Sequence, residues 1–307
     1  MKRRDFLVTG AAVLAALARR AERGWGAERE KASAGETGQK SVRVALVQFD
    51  AVPEQVERNL QQMARLTKQA AASGARWIVF HEGTVCDYTP RLDELAEAVP
   101  DGRSTRFIIQ LAKEQNVYVS FGLSEKDGER FYISQVFVGP AGFLYRYRKT
   151  WLWRSPEDKG YRNEWSRYDP GTGPESFEID GVIATCFICA DGNSARCLER
   201  MRRLRPQVAF YPNNRVSLQD PAEYAERAKV IGAPMLVPNR VGKSWMHECD
   251  GGSILYGLDG TILARANHDG REESLIHDLQ VPPAQSARGT GLPPVRTNGT
   301  PAARPPK

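Results

Sequence analysis

The chain reads as a single α/β domain, and three observations predict it. Strand-length apolar or alternating segments recur between residues 42 and 280 with helix-patterned stretches between them. Apolar residues at 41% and charged residues at 26% match ordinary globular averages, and 307 residues are enough for one large core. Val42–Phe49 alternates and is rich in β-branched residues, which predicts the first strand. A helix is expected from Pro53, in its first turn, to Ala72. Leu60, Met63, Leu66 and Ala70 form its apolar stripe and Gly74 closes it. Strands are expected at Arg76–Phe80, Val117–Leu123 and Tyr132–Val138, with a helix near Ser104–Gln115. A turn at Gly139-Pro140-Ala141-Gly142 then leads into a strand over Phe143–Tyr147. The second half continues with strands at Val182–Ile188, Val208–Tyr211 and Met235–Asn239, and with helices at Ala195–Leu204 and Pro221–Ile231. Gly252–Tyr256 and Thr261–Ala264 flank Gly257-Leu258-Asp259-Gly260 and read as a hairpin.

The net charge of +6 suggests a nucleic-acid partner until it is divided by segment. Residues 1–31 hold eight Lys/Arg against four Asp/Glu, and residues 281–307 hold four against none. The body between them is slightly acidic, so no nucleic-acid partner is expected. Lys2-Arg3-Arg4-Asp5-Phe6-Leu7 precedes an apolar run from Val8 to Ala18 that is too short for a stable bilayer span. The arginine pair followed by Phe-Leu resembles a twin-arginine export signal, which implies a periplasmic or otherwise exported bacterial protein without stable membrane insertion. A short amphipathic helix or basic arm is the alternative. The expected organisation is an export signal at 1–31, a linker at 32–41, the folded domain at 42–280 and a Pro-rich disordered tail at 281–307.

Three strands stop abruptly at a chemically useful residue. Val79-Phe80-His81-Glu82 ends in a carboxylate, Tyr145-Arg146-Tyr147-Arg148-Lys149 in an amine, and Cys186-Phe187-Ile188-Cys189 in a thiol. Carboxyl ends of strands are where sites assemble in α/β sheets, and a nucleophile, a base and a cation for an oxyanion make a coherent set. Each residue also has an ordinary reading: a packed thiol, a helix-capping carboxylate, a solvated lysine. The five cysteines, Cys86, Cys186, Cys189, Cys197 and Cys249, are odd in number, so at least one thiol is expected to be free. Cys186-Phe187-Ile188-Cys189 also matches the C-x-x-C spacing of a redox dithiol or half a zinc site, but Cys186 falls inside a strand and no second pair stands at metal spacing.

Taken together, the order Glu, Lys, Cys resembles the nitrilase superfamily of carbon–nitrogen hydrolases. Val44-Ala45-Leu46-Val47-Gln48 is similar to its first strand, Tyr147-Arg148-Lys149-Thr150-Trp151-Leu152 to its lysine motif, and Ile188-Cys189-Ala190-Asp191 to its cysteine motif. Val237-Pro238-Asn239-Arg240-Val241-Gly242 and Gly251-Gly252-Ser253-Ile254 also fit. The resemblance implies a four-layer α-β-β-α sandwich, a homodimer or higher homo-oligomer, and no metal or cofactor. It implies Cys189 as nucleophile, Glu82 as base, and Lys149 with the Ala190 amide as oxyanion donors. A second glutamate follows the lysine, either Glu164, anchored by Pro170-Gly171, or Glu157. The implied reaction hydrolyses a small amide or N-carbamoyl compound through a thioester; nitrile hydrolysis and a non-catalytic binding protein on the same fold are the alternatives. The Arg-rich helix Arg196–Arg205 is expected either at a subunit interface or in solvent.

Two departures bear on the substrate. His81 stands where the family has proline, and reads as a packing or hydrogen-bonding variant. Asp191-Gly192-Asn193 resembles the aliphatic amidase pattern and lacks the arginines that hold a carbamoyl-amino-acid carboxylate. Ala190, Asn193 and Arg215 are the expected substrate contacts, with Arg240 a further candidate for the missing arginine.

Overall fold

A computed structural model describes residues 40–154, 163–218, 221–244 and 247–284. The expected export signal, Glu157 and most of the expected linker and tail lie outside the described residues. The first half runs β1 (Ser41–Gln48), α1 (Val56–Ala72), β2 (Trp77–Phe80), α2 (Leu92–Leu95), α3 (Arg103–Gln115), β3 (Tyr118–Asp127), β4 (Arg130–Gly139) and β5 (Gly142–Arg148). Next come α4 (Glu164–Arg167), β6 (Phe177–Ile179), β7 (Val182–Cys186), a 3-10 turn (Cys189–Asn193), α5 (Ala195–Leu204), β8 (Val208–Phe210), α6 (Pro221–Ile231) and β9 (Met235–Val237). The chain closes with β10 (Val241–Lys243), β11 (Glu248–Asp250), β12 (Ile254–Tyr256), β13 (Ile262–Arg265) and β14 (Glu273–Gln280).

These strands form two six-stranded sheets, ordered β14-β1-β2-β3-β4-β5 and β13-β12-β9-β8-β7-β6, with β10-β11 as a separate pair. Period-two alternation builds the layers. Along β1, Val44 and Leu46 join one core with Ala184, Val208 and Phe210 of the second sheet, whereas Ala45 and Val47 join another with Leu60 and Met63 of α1 and Ile108 and Leu111 of α3. Aromatic rings cross between the sheets: Phe137 lies 5.0 Å from Phe210 and 4.5 Å from Phe177, and Trp77 lies 5.9 Å from Phe210. Met201 of α5 and Tyr224 and Ala228 of α6 cover the second sheet. The expected four layers are therefore present, as is the β12–β13 hairpin.

Several boundaries differ from the sequence reading. The first helix starts at Val56 rather than Pro53, because Glu54 takes φ 62 and the Asn59 side chain bonds both the N–H and C=O of Val52. The expected linker reached residue 41, yet Ser41 pairs with Gln280 in the sheet. The expected tail began at residue 281, yet Val281 is buried and its N–H donates to the Lys40 carbonyl at 2.8 Å. Sequence periodicity missed β14, which lies antiparallel along the whole of β1. Among the described residues no helix is long and apolar enough to cross a membrane.

The direction of the strands positions the site. β1, β2 and β3 run parallel, and two antiparallel pairings through β4 return β5 to the direction of β3. β7, β8 and β9 run parallel in the second sheet.

Candidate active site

Glu82 follows the carboxyl end of β2 after one residue, on a tight loop. Its N–H donates to the Asn213 carbonyl at 3.3 Å, which ties the loop of one sheet to the loop after β8 in the other. Gly122 of β3 permits this path, since a Cβ there would stand 2.3 Å from the Gly83 nitrogen and 2.9 Å from the Glu82 carbonyl carbon. His81, fully buried, packs on Phe49 at 5.3 Å and bonds the Glu82 carbonyl through Nδ1 at 2.9 Å. Burial and then the Arg240 charge push its pKa down to about 3, so the ring is neutral near pH 7 and acts as packing.

Lys149 follows β5 directly and is held by backbone bonds on both sides, its N–H to Ile133 at 2.8 Å and its C=O from Gly171 at 2.9 Å. A Cβ on Gly171 would meet the Arg148 carbonyl at 2.2 Å, which explains why the Pro-Gly landmark follows the lysine. The Lys149 ammonium donates to Oε1 of Glu82 at 2.7 Å and to Oε1 of Glu164 at 2.8 Å. Glu164 opens α4, and its other oxygen accepts from the Trp153 amide at 2.7 Å. Tyr88 was not anticipated. Its hydroxyl lies 2.8 Å from the same oxygen of each glutamate, so its one proton can serve either carboxylate. Oε1 of Glu82 is thereby doubly engaged, whereas Oε2 is buried without a partner among the described residues. Burial raises the Glu82 carboxyl pKa, against the pull of Lys149.

Cys189 comes from the other sheet. β7 ends at Cys186, earlier than expected, because the Ile188 N–H turns away from the neighbouring strand to Asp191 Oδ2 at 2.9 Å. The chain then enters the 3-10 turn with Cys189 at φ 42, an uncommon conformation for a residue with a side chain. Asp191, another residue whose part was not foreseen, holds this turn against the lysine segment. Its Oδ1 accepts from the amides of Thr150 at 3.0 Å and Trp151 at 2.6 Å, and its Oδ2 from the Tyr147 hydroxyl at 2.8 Å. Cys189 keeps 9% of its surface exposed against 0% for Lys149 and 1% for Glu82. Burial raises the thiol pKa and Glu82 adds to it, whereas Lys149 and Arg215 lower it.

The other expected contacts divide. Ala190 is buried beside Cys189, and the Arg215 charge bears on the Cys189 thiol. Asn193 is exposed, and its Oδ1 accepts from Arg227 at 3.1 Å. Arg240 is likewise committed elsewhere. It is fully buried and pairs with Asp87 at 2.7 Å, where Asn214 and Ser244 also donate to that carboxylate. All five cysteines are free and buried, and among the described residues no group of three His, Cys, Asp or Glu could hold a metal. On α5, Arg202 and Arg203 both pair with Glu199 of the same helix, whereas Arg200 reaches the Thr172 carbonyl at 2.7 Å.

A fold of two helix-flanked sheets with a carboxylate, an ammonium and a thiol at one edge defines a class, and comparison with known proteins agrees. Residues 43–289 match the carbon-nitrogen hydrolase family, and the chain belongs to it, within the nitrilase superfamily. It is 30% identical over 248 residues to an omega-amidase of Xenopus tropicalis, covering 76% of this chain and 86% of that protein. It is 27% identical over 236 residues to a nitrilase of Pyrococcus abyssi, covering 75% and 87%. The fold is similar to an amidase from Nesterenkonia at TM-score 0.69 and 20% identity, covering 81% of this chain and 94% of that one. Nit3 of Saccharomyces cerevisiae is also similar, with TM-score 0.69 and 19% identity over 79% of this chain and 91% of that one. The chain is thus a carbon–nitrogen hydrolase.

Proposed function

We propose that the chain hydrolyses a small amide or N-carbamoyl compound through a thioester on Cys189. The observation that carries this reading is the placement of Lys149 between Glu82 and Glu164, with one oxygen of Glu82 buried and without a hydrogen-bond partner among the described residues and the Glu82 charge bearing on the Cys189 thiol. Oε2 of Glu82 takes the thiol proton as sulfur attacks the carbonyl carbon. The carbonyl electron pair moves to oxygen, where the Lys149 ammonium and the Ala190 amide stabilise it. Collapse breaks the C–N bond, and the leaving nitrogen takes the proton from Glu82. Water then attacks the thioester, Glu82 accepts its proton, and sulfur departs and regains that proton. Glu164 keeps Lys149 and Tyr88 aligned throughout.

Two measurements test this. Added hydroxylamine is expected to divert the acyl group to a hydroxamate. Iodoacetamide is expected to stop ammonia release in step with the alkylation of Cys189, followed by peptide mass. Ammonia release undiminished after complete alkylation of that residue would overturn the reading.

Tyr88 yields a separate expectation. Its hydrogen bond stabilises ionised Glu82, so Tyr88→Phe raises the pKa of the base. A lost hydrogen bond to a charged group costs about 1.5–3 kcal/mol, roughly a tenfold to hundredfold fall in kcat/KM. The acid limb of the kcat/KM profile should move to higher pH, and an unmoved limb would leave Tyr88 a packing residue only.

A further inference from the structure

The loop that carries Glu82 ends in a second buried carboxylate that the reaction does not use. Asp87 takes φ 55, an uncommon backbone state for residues other than glycine, asparagine and aspartate. Its N–H donates to the Gly83 carbonyl at 2.7 Å and closes the loop. Its side chain then meets three donors from elsewhere in the chain. Asn214, after β8, donates to Oδ1 at 2.8 Å, and Ser244, after β10, donates to Oδ2 at 2.6 Å. Arg240, between β9 and β10, pairs with the same Oδ2 at 2.7 Å.

Arg240 is itself fixed by carbonyl groups. Its Nη2 donates to Ala51 at 2.8 Å and to Lys243 at 3.3 Å, and its Nε to Val241 at 3.3 Å. The guanidinium is fully buried, so each charge depends on the other. A buried ion pair is weak evidence for stability, because apolar residues of like volume often serve as well, and so many directional contacts point instead to a demand for geometry.

The residue that needs that geometry is the next one. The Tyr88 hydroxyl lies 2.8 Å from Oε1 of Glu82 and from Oε1 of Glu164. It stands at the far end of a long side chain, so a small backbone rotation at Asp87 would take it out of hydrogen-bond reach of both carboxylates. Consecutive residues hold the two ends of the loop. The Asn213 carbonyl accepts from the Glu82 N–H at 3.3 Å, and the Asn214 side chain donates to Asp87.

We propose that Asp87 is a positioning residue for the reaction, whose network with Arg240, Asn214 and Ser244 sets the Tyr88 hydroxyl against Glu82 and Glu164. The proposal rests on Glu82 being the base of the reaction proposed above.

Two variants test it. Asp87→Asn keeps the shape and removes the charge, whereas Ser244→Ala removes one donor and leaves the ion pair, so it serves where the first variant fails to fold. Both are expected to speed amide hydrogen exchange in the peptide spanning residues 82–89. Loss of a well-placed hydrogen bond to a charged group should lower kcat/KM roughly tenfold in Asp87→Asn and about threefold in Ser244→Ala. The groups that bear on the Glu82 carboxyl are Lys149, Glu164, Tyr88 and Cys189. Weakening the Tyr88 bond alone raises the pKa of that carboxyl, so the acid limb of the kcat/KM profile should move to higher pH, as for Tyr88→Phe. In a Tyr88→Phe background each substitution should cost less than about twofold more, because the group it positions is gone. Costs that multiply in full in that background, or an unmoved acid limb, would make Asp87 a structural brace and overturn the proposal. Unchanged exchange, or faster exchange with kcat/KM intact, would overturn it equally. A profile that neither Tyr88→Phe nor Glu82→Gln alters would instead remove Glu82 as the base, and this proposal with it.

Discussion

Lys149→Met is expected to damage both stability and catalysis. The methionine fills similar volume but leaves Glu82 and Glu164, both buried, facing each other without the ammonium that donates to them at 2.7 and 2.8 Å. Removing one partner of a buried ion pair typically costs about 3–5 kcal/mol. Protonation limits that cost here, since a carboxyl without its cation takes up a proton and becomes neutral. The Glu82 carboxyl, already raised by burial, loses the lowering pull of Lys149 and rises further above its unfolded value, so the folded variant binds protons more tightly than the unfolded chain. The stability deficit is therefore largest above that raised value and shrinks as pH falls through it. Urea unfolding at pH 8 and pH 5 should show the gap from the unaltered protein narrowing at the lower pH. A gap independent of pH would mean that lost packing, not lost charge, is the cause. Turnover should fall by at least the factor of roughly 10²–10³ that one oxyanion donor supplies.

Glu82→Gln separates two quantities that usually move together. The amide is isosteric and still accepts from Lys149 and Tyr88, but it cannot carry a proton between sulfur, nitrogen and water. General acid–base catalysis contributes roughly 10²–10⁴ in rate, and kcat should fall by that order. The thiol responds the other way. Its pKa is raised first by burial and then by the negative charge of Glu82, so removing that charge lowers it. Alkylation of Cys189 by iodoacetamide should therefore extend to lower pH in the variant, although turnover is nearly lost. If alkylation instead shifts to higher pH, Glu82 does not act on the sulfur as its position implies.

Much of this arrangement was legible because strand periodicity and strand ends are local signals. Val42–Phe49, Ser104–Gln115 and Ala195–Leu204 were each found within a residue or so of the observed β1, α3 and α5, and Glu82, Lys149 and Cys189 were marked as polar residues ending apolar runs. What escaped depended on partners distant in sequence. β14 has a half-exposed pattern without clean alternation, and β1 defines it through eight paired residues and the Arg43–Asp278 ion pair at 2.7 Å. Tyr88 lies six residues beyond Glu82 on a loop bent by positive φ at Gly83 and Asp87, a path no periodicity encodes. Arg240 reads as a candidate substrate-binding arginine until Asp87, far earlier in the chain, appears beside it. Asp191 did offer a signal, a carboxylate two residues after Cys189, but three of its four acceptor contacts become visible only when the lysine segment folds against it.

The origin of the groups in two different sheets has a mechanical meaning. Glu82 and Lys149 ride on one layer and Cys189 on the other, joined across the seam by Asp191 and by the Glu82–Asn213 backbone bond. Competence then depends on the alignment of two slabs, and a shear of an ångström between them would disarm the sulfur while leaving each slab's own hydrogen-bond ladder intact. The working enzyme is in that sense a vernier, sensitive to sliding that would leave either sheet, taken by itself, unmarked.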